Sequence, residues 1–186
     1  MRLRRFTAAD ADDLAALHGD PAVMRYIDSR PVPREVVETQ TLPGILREYQ
    51  ELQAGFGHWA AIEKPAGAFL GWFGLSPASS RGLAGGTEIG YRLRPEAWGR
   101  GYGTEGARAL VRKGFAELGV DRVVATTMTV NAASRRVLEK AGLRMVRVFF
   151  LDWPEYLDGA EHGDVEYALT RADWERQVSP GGSAGR

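Results

Sequence analysis

The sequence predicts a single α+β domain in which six to seven short strands form one sheet with helices packed on it. Three observations carry this expectation. Short β-branched and aromatic runs recur between turn residues, several intervening segments repeat apolar residues at offsets of three and four, and 186 residues suffice to bury one core. The domain is expected over residues 1–178, with the glycine-rich "SPGGSAGR" of residues 179–186 as a frayed tail.

"RLRRF" reads as an opening strand, and Thr7 followed by Asp10 has capping-box spacing at the head of the helical "TAADADDLAAL". "PREVVETQTLPGILREYQEL" is helical in pattern, but Pro43-Gly44 predicts two pieces with a break between them, a flap of the kind that covers a pocket. "HWAAIE" and "AFLGWFGLSP", separated by "KPAG", read as a hairpin. "TEIGYRLR" alternates, with Ile89, Tyr91 and Leu93 on a core face and Glu88, Gly90, Arg92 and Arg94 on the other. After "WGRGYGTEG", Ala107, Leu110, Val111, Gly114, Phe115 and Leu118 form the stripe of a helix packed on a sheet. "DRVVATTMTV" is a strand, and "NAASRRVLEKAGL" is a helix that Asn131 caps and Gly142 ends. "RMVRVFFLDW" and "GDVEYALT" form the last pair of strands.

Composition narrows the chemistry. With no cysteine, disulfides, thiolate metal sites and a cysteine nucleophile are excluded together. His18, His58 and His162 have no mutual ligand spacing, so each is read as structural or surface and no metal is expected. The absence of a signal-type or bilayer-length apolar segment predicts a cytoplasmic protein with no membrane partner. A net charge of zero argues against a nucleic-acid partner. The charges are nevertheless segregated: Arg92 to Arg147 holds twelve Lys/Arg against five Asp/Glu, whereas Val148 to Thr170 holds six acids and neither Lys nor Arg. Two solvated faces would account for this, as would an anionic ligand near the first stretch and a cationic one near the second.

Four glycines in "WGRGYGTEG", at the head of a helix, bring bare backbone and unpaired N–H groups together, which suits a phosphate. Gly101 to Gly106 satisfies the dinucleotide pattern G-x-G-x-x-G, but "PEAW" separates the loop from its strand and no acid ends the next strand. A nucleotide-hydrolase loop is disfavoured too, since no Lys-Ser or Lys-Thr follows the glycines.

"EIGYRLRPEAWGRGYGTEGARALVRKGF" followed by "NAASRRVLEKAGL" resembles the GNAT superfamily of acetyl-CoA-dependent N-acetyltransferases, closest to its ribosomal-protein RimJ/RimL-like branch. The likeness spans most of the chain and is strongest from Glu88 to Leu143. It implies the GNAT fold, an α+β architecture whose twisted central sheet is mixed but mostly antiparallel, with acetyl-CoA as cosubstrate and no metal. The resemblance sets Gly99, Arg100, Gly101, Tyr102, Gly103 and Thr104 around the coenzyme diphosphate and the pantetheine arm along Tyr91, Arg92 and Leu93. The family loop commonly opens with Gln or Arg, where this chain has Trp98.

Acetyl transfer from a thioester to an amine needs a deprotonated nitrogen, a stabilised oxyanion and a departing thiolate. Glu88 is the first candidate base, on the strand where the family often places one; Glu105 is the second, although an acid in a first helical turn also suits the helix dipole. Backbone N–H near Arg92 is the expected oxyanion donor. Where many relatives carry a tyrosine for the thiolate this chain has Leu138, and Ser134 is the matching candidate to hydrogen-bond the sulfur. Asn131 is expected to cap its helix and touch the pantetheine. The expected acceptor is a cationic primary amine, of a small molecule or a protein N-terminus, drawn to "LDWPEYLDGAEHGDVEY". Trp153, Tyr156 and Tyr167 are candidates for an apolar wall there, Phe149 for core packing, and the flap from Tyr26 to Tyr49 for the opposite wall. A monomer or homodimer is expected. A non-catalytic coenzyme-binding module of the same fold is the alternative, needing the glycine loop but no base.

Overall fold

The computed structural model describes residues 1–78, 85–151 and 157–179. Seven strands form one sheet: β1 (Arg2–Arg5), β2 (Gly57–Ile62), β3 (Phe69–Pro77), β4 (Thr87–Leu93), β5 (Arg122–Met128), β6 (Arg144–Phe149) and β7 (Asp164–Thr170), in the order β1-β2-β3-β4-β5-β7-β6. Every neighbouring pair is antiparallel except β4 and β5. The last two strands pair as expected, yet β7 lies inside, against β5, and leaves β6 at the edge.

One face of the sheet carries α5 (Tyr102–Arg112) and α6 (Ala132–Lys140) over Phe73, Leu75, Ile89 and Leu93; Leu110 and Leu138 are the helices' buried contributions. Gly106 lets α5 sit close, because a Cβ there would run into the ring of the fully buried Phe73. The other face carries α1 (Ala11–His18) and α4 (Leu42–Glu51), with Leu14, Leu17, Val37 and Ile45 packed against Ala60, Ile62 and Phe69. The short α2 (Pro21–Met24) and α3 (Arg34–Val36) complete that layer.

Local chemistry explains the helix ends. Asp10, buried, accepts from the Thr7 backbone N–H at 2.7 Å and takes Arg4 in two hydrogen bonds at 2.6 and 2.8 Å, which ties β1 to the turn before α1. The Arg4 guanidinium holds this carboxyl below its ordinary range despite burial. Asn131 Oδ1 accepts from Ser134 N at 3.1 Å to cap α6, and Gly142 ends it with φ 96°.

Two expectations need correction, and one element is added. The segment from Arg34 to Glu51 does not break at Pro43-Gly44; a π-helical turn over Val37–Thr41 joins α3 to α4. Pro43 then falls in the first turn of α4, where a missing N–H costs little. The chain also has a final helix, α7 (Arg171–Val178), which the hydrophobic pattern does not announce; Thr170 caps it, accepting from Asp173 N at 3.2 Å. The strand expected through Trp153 ends at Phe149. Residues 180–186 of the expected tail lie outside the described residues. No helix among the described residues is long and apolar enough to cross a membrane.

Candidate active site

β4 and β5 pair at two positions only, Thr87 with Val123 and Glu88 with Val124. Beyond Glu88 the strands part, although β4 runs on to Leu93 and β5 to Met128. Parting leaves facing backbone edges without each other's hydrogen bonds, in position to bond an extended amide chain as an added strand. A cleft of about 930 Å³ occupies the gap and continues over the α1/α4 face of the sheet.

At the wide end stands the N-terminus of α5. Its N-cap is Gly101, with φ 85° and no side chain to satisfy the first helical N–H groups. A Cβ at Gly99 or Gly101 would meet nothing within 4 Å, so these glycines leave room on the cleft side. Gly103 and Thr104 line the cleft as well, and Gly103 also lets α5 approach Val137 of α6. These features fit a diphosphate: bare backbone, unpaired N–H donors and a positive dipole end. Trp98 donates its indole N–H to Leu93 O at 2.8 Å, closing the last turn of β4.

At the narrow end Glu88 and Gly90 line the cleft, followed along β4 by Tyr91, Arg92 and Leu93. The alternation read from the sequence holds, with Ile89 and Leu93 buried beneath α5 and Trp72 across from Arg92 on the opposite face. Tyr91 meets Ser134: their hydroxyls are 2.9 Å apart and Tyr91 OH donates to Ser134 O at 3.2 Å. Burial pushes the Tyr91 phenol up to about 12, with the Ser134 contact drawing it partly back, so it is a neutral donor at physiological pH. Ser134 and Asn131 both line the cleft, Asn131 with its oxygen engaged in the helix cap.

Other expected site residues are placed differently. Arg100 and Tyr102 turn their side chains to one carboxylate oxygen of Glu63, at 2.6 and 2.7 Å, leaving their backbone as what they offer a ligand. Those two bonds, Tyr102 first, hold the Glu63 carboxyl low. Glu105, the second candidate base, instead takes the Met1 ammonium at 2.8 Å on the β1 side of α5. Tyr167, expected on an acceptor wall, is fully buried, its OH between Arg135 and Glu139, whereas Phe149, expected in the core, lines the cleft. Of the six acids in the acidic stretch, Glu166 is buried between Arg122 and Arg147 and Asp158 pairs with Arg25 at 3.3 Å. Glu161 sits 3.6 Å from His162, and Asp164 is buried on the cleft wall. Asp152 and Glu155, like Trp153 and Tyr156, lie outside the described residues. From the flap, Tyr26, Ile27 and Glu48 line the cleft, and Arg25 lines it just before the flap.

One polar cluster was not anticipated. His58 Nδ1 lies 2.6 Å from Glu48 Oε2, its ring packs edge-on to Trp72 with centroids 4.9 Å apart, and Trp72 donates its indole N–H to His18 Nε2 at 3.2 Å. No local pattern announces it, because Glu48 and Gly74 reach His58 only through the tertiary fold. Burial, with the charges of Arg92 and His58 adding, pushes His18 down to about 3 from its ordinary 6.5. The fold therefore holds His18 neutral, while the unfolded chain takes up its proton from about pH 6.5 downward. This contribution to stability is complete above pH 6.5 and is lost as pH falls toward 3, by up to about 1.4 kcal/mol per pH unit. Denaturant unfolding from pH 7 to 4 should show a shallower acid loss in His18→Gln than in the parent chain; parallel curves would refute the assignment.

Comparison with known proteins places this geometry. Residues 1–144 match the family model described as acetyltransferase (GNAT) domain. The FsC-acetyl coenzyme A-N(2)-transacetylase of Aspergillus fumigatus is 37% identical over 168 residues, spanning 87% of this chain and 69% of that protein. The fold matches the crystal structure of aminoglycoside acetyltransferase AAC(6')-Ib in complex with coenzyme A, with TM-score 0.72 at 22% identity over 95% of this chain and 98% of that one. It likewise matches the ribosomal-protein-S5-alanine acetyltransferase of Vibrio fischeri, with TM-score 0.72 at 18% identity over 92% and 93%. The family model over residues 1–144 and the 37% identical relative show that the chain belongs to the GNAT family of acetyl-CoA-dependent acetyltransferases.

Proposed function

We propose that the protein transfers the acetyl group of acetyl-CoA to a primary amine by direct attack, with Glu88 as proton acceptor. The observation that carries this reading is the parting of β4 and β5 immediately after Glu88. A coenzyme whose diphosphate sits on the α5 N-terminus would run its pantetheine along Leu93, Arg92 and Tyr91 and deliver the thioester beside Gly90 and Glu88. There the amine nitrogen bonds to the carbonyl carbon, backbone N–H near Arg92 meets the oxyanion, and the C–S bond breaks as the thiolate departs. The Ser134 hydroxyl is within the same cleft to hydrogen-bond that sulfur. The 37% identical relative, named as an N(2)-transacetylase, supports nitrogen as the acceptor atom. Resemblance to the RimJ/RimL-like branch keeps a protein N-terminus, beside small amines, among the acceptors.

The acceptor is proposed to arrive as a cation, since Glu88, Glu48 and Asp164 all line the cleft. Calorimetric titration of acetyl-CoA alone, then a screen of amines for release of free thiol, tests the reading; coenzyme binding without thiol release from any amine would leave a binding module. At saturating acetyl-CoA, the second-order rate constant for the amine found should fall as salt rises past about 0.1 M, where the screening length is about 10 Å. A rate indifferent to salt would contradict the cationic acceptor.

A further inference from the structure

On the α1/α4 face, His58 of β2 is opposite Gly74 of β3, which is opposite Gly90 of β4. Cross-strand partners share a face, so this row places one imidazole beside two positions with no side chain. The row beside it holds Ser76 and Glu88; the row on its other side holds Trp72 and Arg92, the guanidinium carbon 5.5 Å from the indole centroid. The result is a trench, polar on one wall and aromatic on the other, whose glycine floor takes the His58 ring over Gly74 and borders the Trp72 ring at Gly90. All seven residues line the cleft.

The ring of His58 lies over Gly74: a Cβ there would be 2.8 Å from its Cδ2 and 2.9 Å from its Nε2. Gly90 is one strand spacing, about 5 Å, beyond Gly74, with the edge of the Trp72 ring 3.6 Å from where its Cβ would be. The ring is fixed from several sides. Glu48 accepts at Nδ1, Trp72 packs on its edge, and Tyr49 donates its hydroxyl to His58 O at 2.5 Å. Nε2 has no hydrogen-bond partner among the described residues. The charged and titratable neighbours are Glu48 and Tyr49 of α4, His18 of α1, and Glu88 and Arg92 of β4.

We infer that His58, oriented by Glu48, takes the proton that an ammonium acceptor must lose before it can attack. The inference rests on the amine-acceptor reading above. Forming an amide from a primary ammonium and a thioester removes two protons from nitrogen: one frees the lone pair, the other leaves as the C–N bond forms and the C–S bond breaks. One ends on the departing sulfur and one goes to solvent. Glu88, at the point where the strands part, serves the second loss. His58 Nε2, across Gly74, serves the first through a bridging water; with Glu48, whose side chain is 28% exposed, it passes that proton out. An imidazole suits this step, since it can accept at Nε2 while donating from Nδ1 to Glu48.

The test pairs alkyl primary amines with O-alkyl hydroxylamines of the same carbon skeleton, which are neutral at pH 7 and need no prior deprotonation. With saturating acetyl-CoA, His58→Gln should lower kcat about 100-fold for the alkylamine and change it less than about two-fold for the hydroxylamine. Glu88→Gln should slow both. Equal losses on both nucleophiles in His58→Gln, or a change in KM alone, would show that His58 only holds α4 on the sheet and would overturn the inference while leaving the acceptor reading intact. If the parent enzyme acetylates neither nucleophile class, the acceptor reading falls and this inference with it. Should His58→Gln not fold, Glu48→Gln, which keeps a partner for Nδ1 without its charge, must show the same selective loss.

Discussion

Gly101→Val is expected to weaken acetyl-CoA binding by about 100-fold, or about 2.7 kcal/mol, while the chain stays folded. Two effects combine. Valine at φ 85° is strained, by about 1–3 kcal/mol, and its branched side chain occupies the open space on the cleft side of the helix N-terminus. Gly101 is a better probe than Gly103, where a Cβ would come within 3.2 Å of Val137 and disturb the packing of α5 on α6. Calorimetry gives the affinity, and thermal unfolding separates it from a general loss of structure. An unchanged dissociation constant would remove the diphosphate from this loop.

The second large effect is expected at Glu88. Glu88→Gln keeps size and hydrogen-bonding capacity but cannot accept a proton, so turnover should fall by about 100-fold or more with acetyl-CoA affinity nearly unchanged. The position gives the expectation its specificity. Glu88 is the last residue of β4 paired with β5, on the face away from the α5 core, where a thioester led along β4 would end. Glu105, the second candidate, lies 2.8 Å from the Met1 ammonium and is not among the residues lining the cleft. A wild-type pH–rate profile in Glu88→Gln would mean that another group, or bulk water, takes the proton.

Much of this was legible in the sequence because it is local. The alternation of "TEIGYRLR" put Glu88 and Arg92 on one face and Ile89 and Leu93 on the other, and the structure agrees. Asn131 and Gly142 marked the ends of α6 through their own backbone requirements. Pairing across long separations was not legible. Nothing in "GDVEYALT" says that it inserts between β5 and β6, yet that insertion buries Tyr167 and spends Glu166 on Arg122 and Arg147. The directions of Arg100 and Tyr102 depend on Glu63, 37 and 39 residues away, and no local pattern encodes that. The sequence reads His58 only as structural or surface for the same reason: its chemistry comes from Glu48 on a helix and from two glycines brought to its row only when three strands align. The final helix is a different case. Thr170 and Asp173 carry a local cap signal, but α7 has no fully buried residue and so no apolar stripe to reveal it.

Acetyl-CoA is proposed to thread the gap between β4 and β5, diphosphate on the α5 N-terminus and thioester at its closed end. Titrating acetyl-CoA into 15N-labelled protein and following backbone amides tests this most directly. The largest shifts are expected at Gly101, Gly103 and Thr104 and along Gly90 to Leu93, with the amides of α7 and β1 unmoved. Shifts concentrated anywhere else, with the β4 amides between Gly90 and Leu93 silent at saturation, would contradict it.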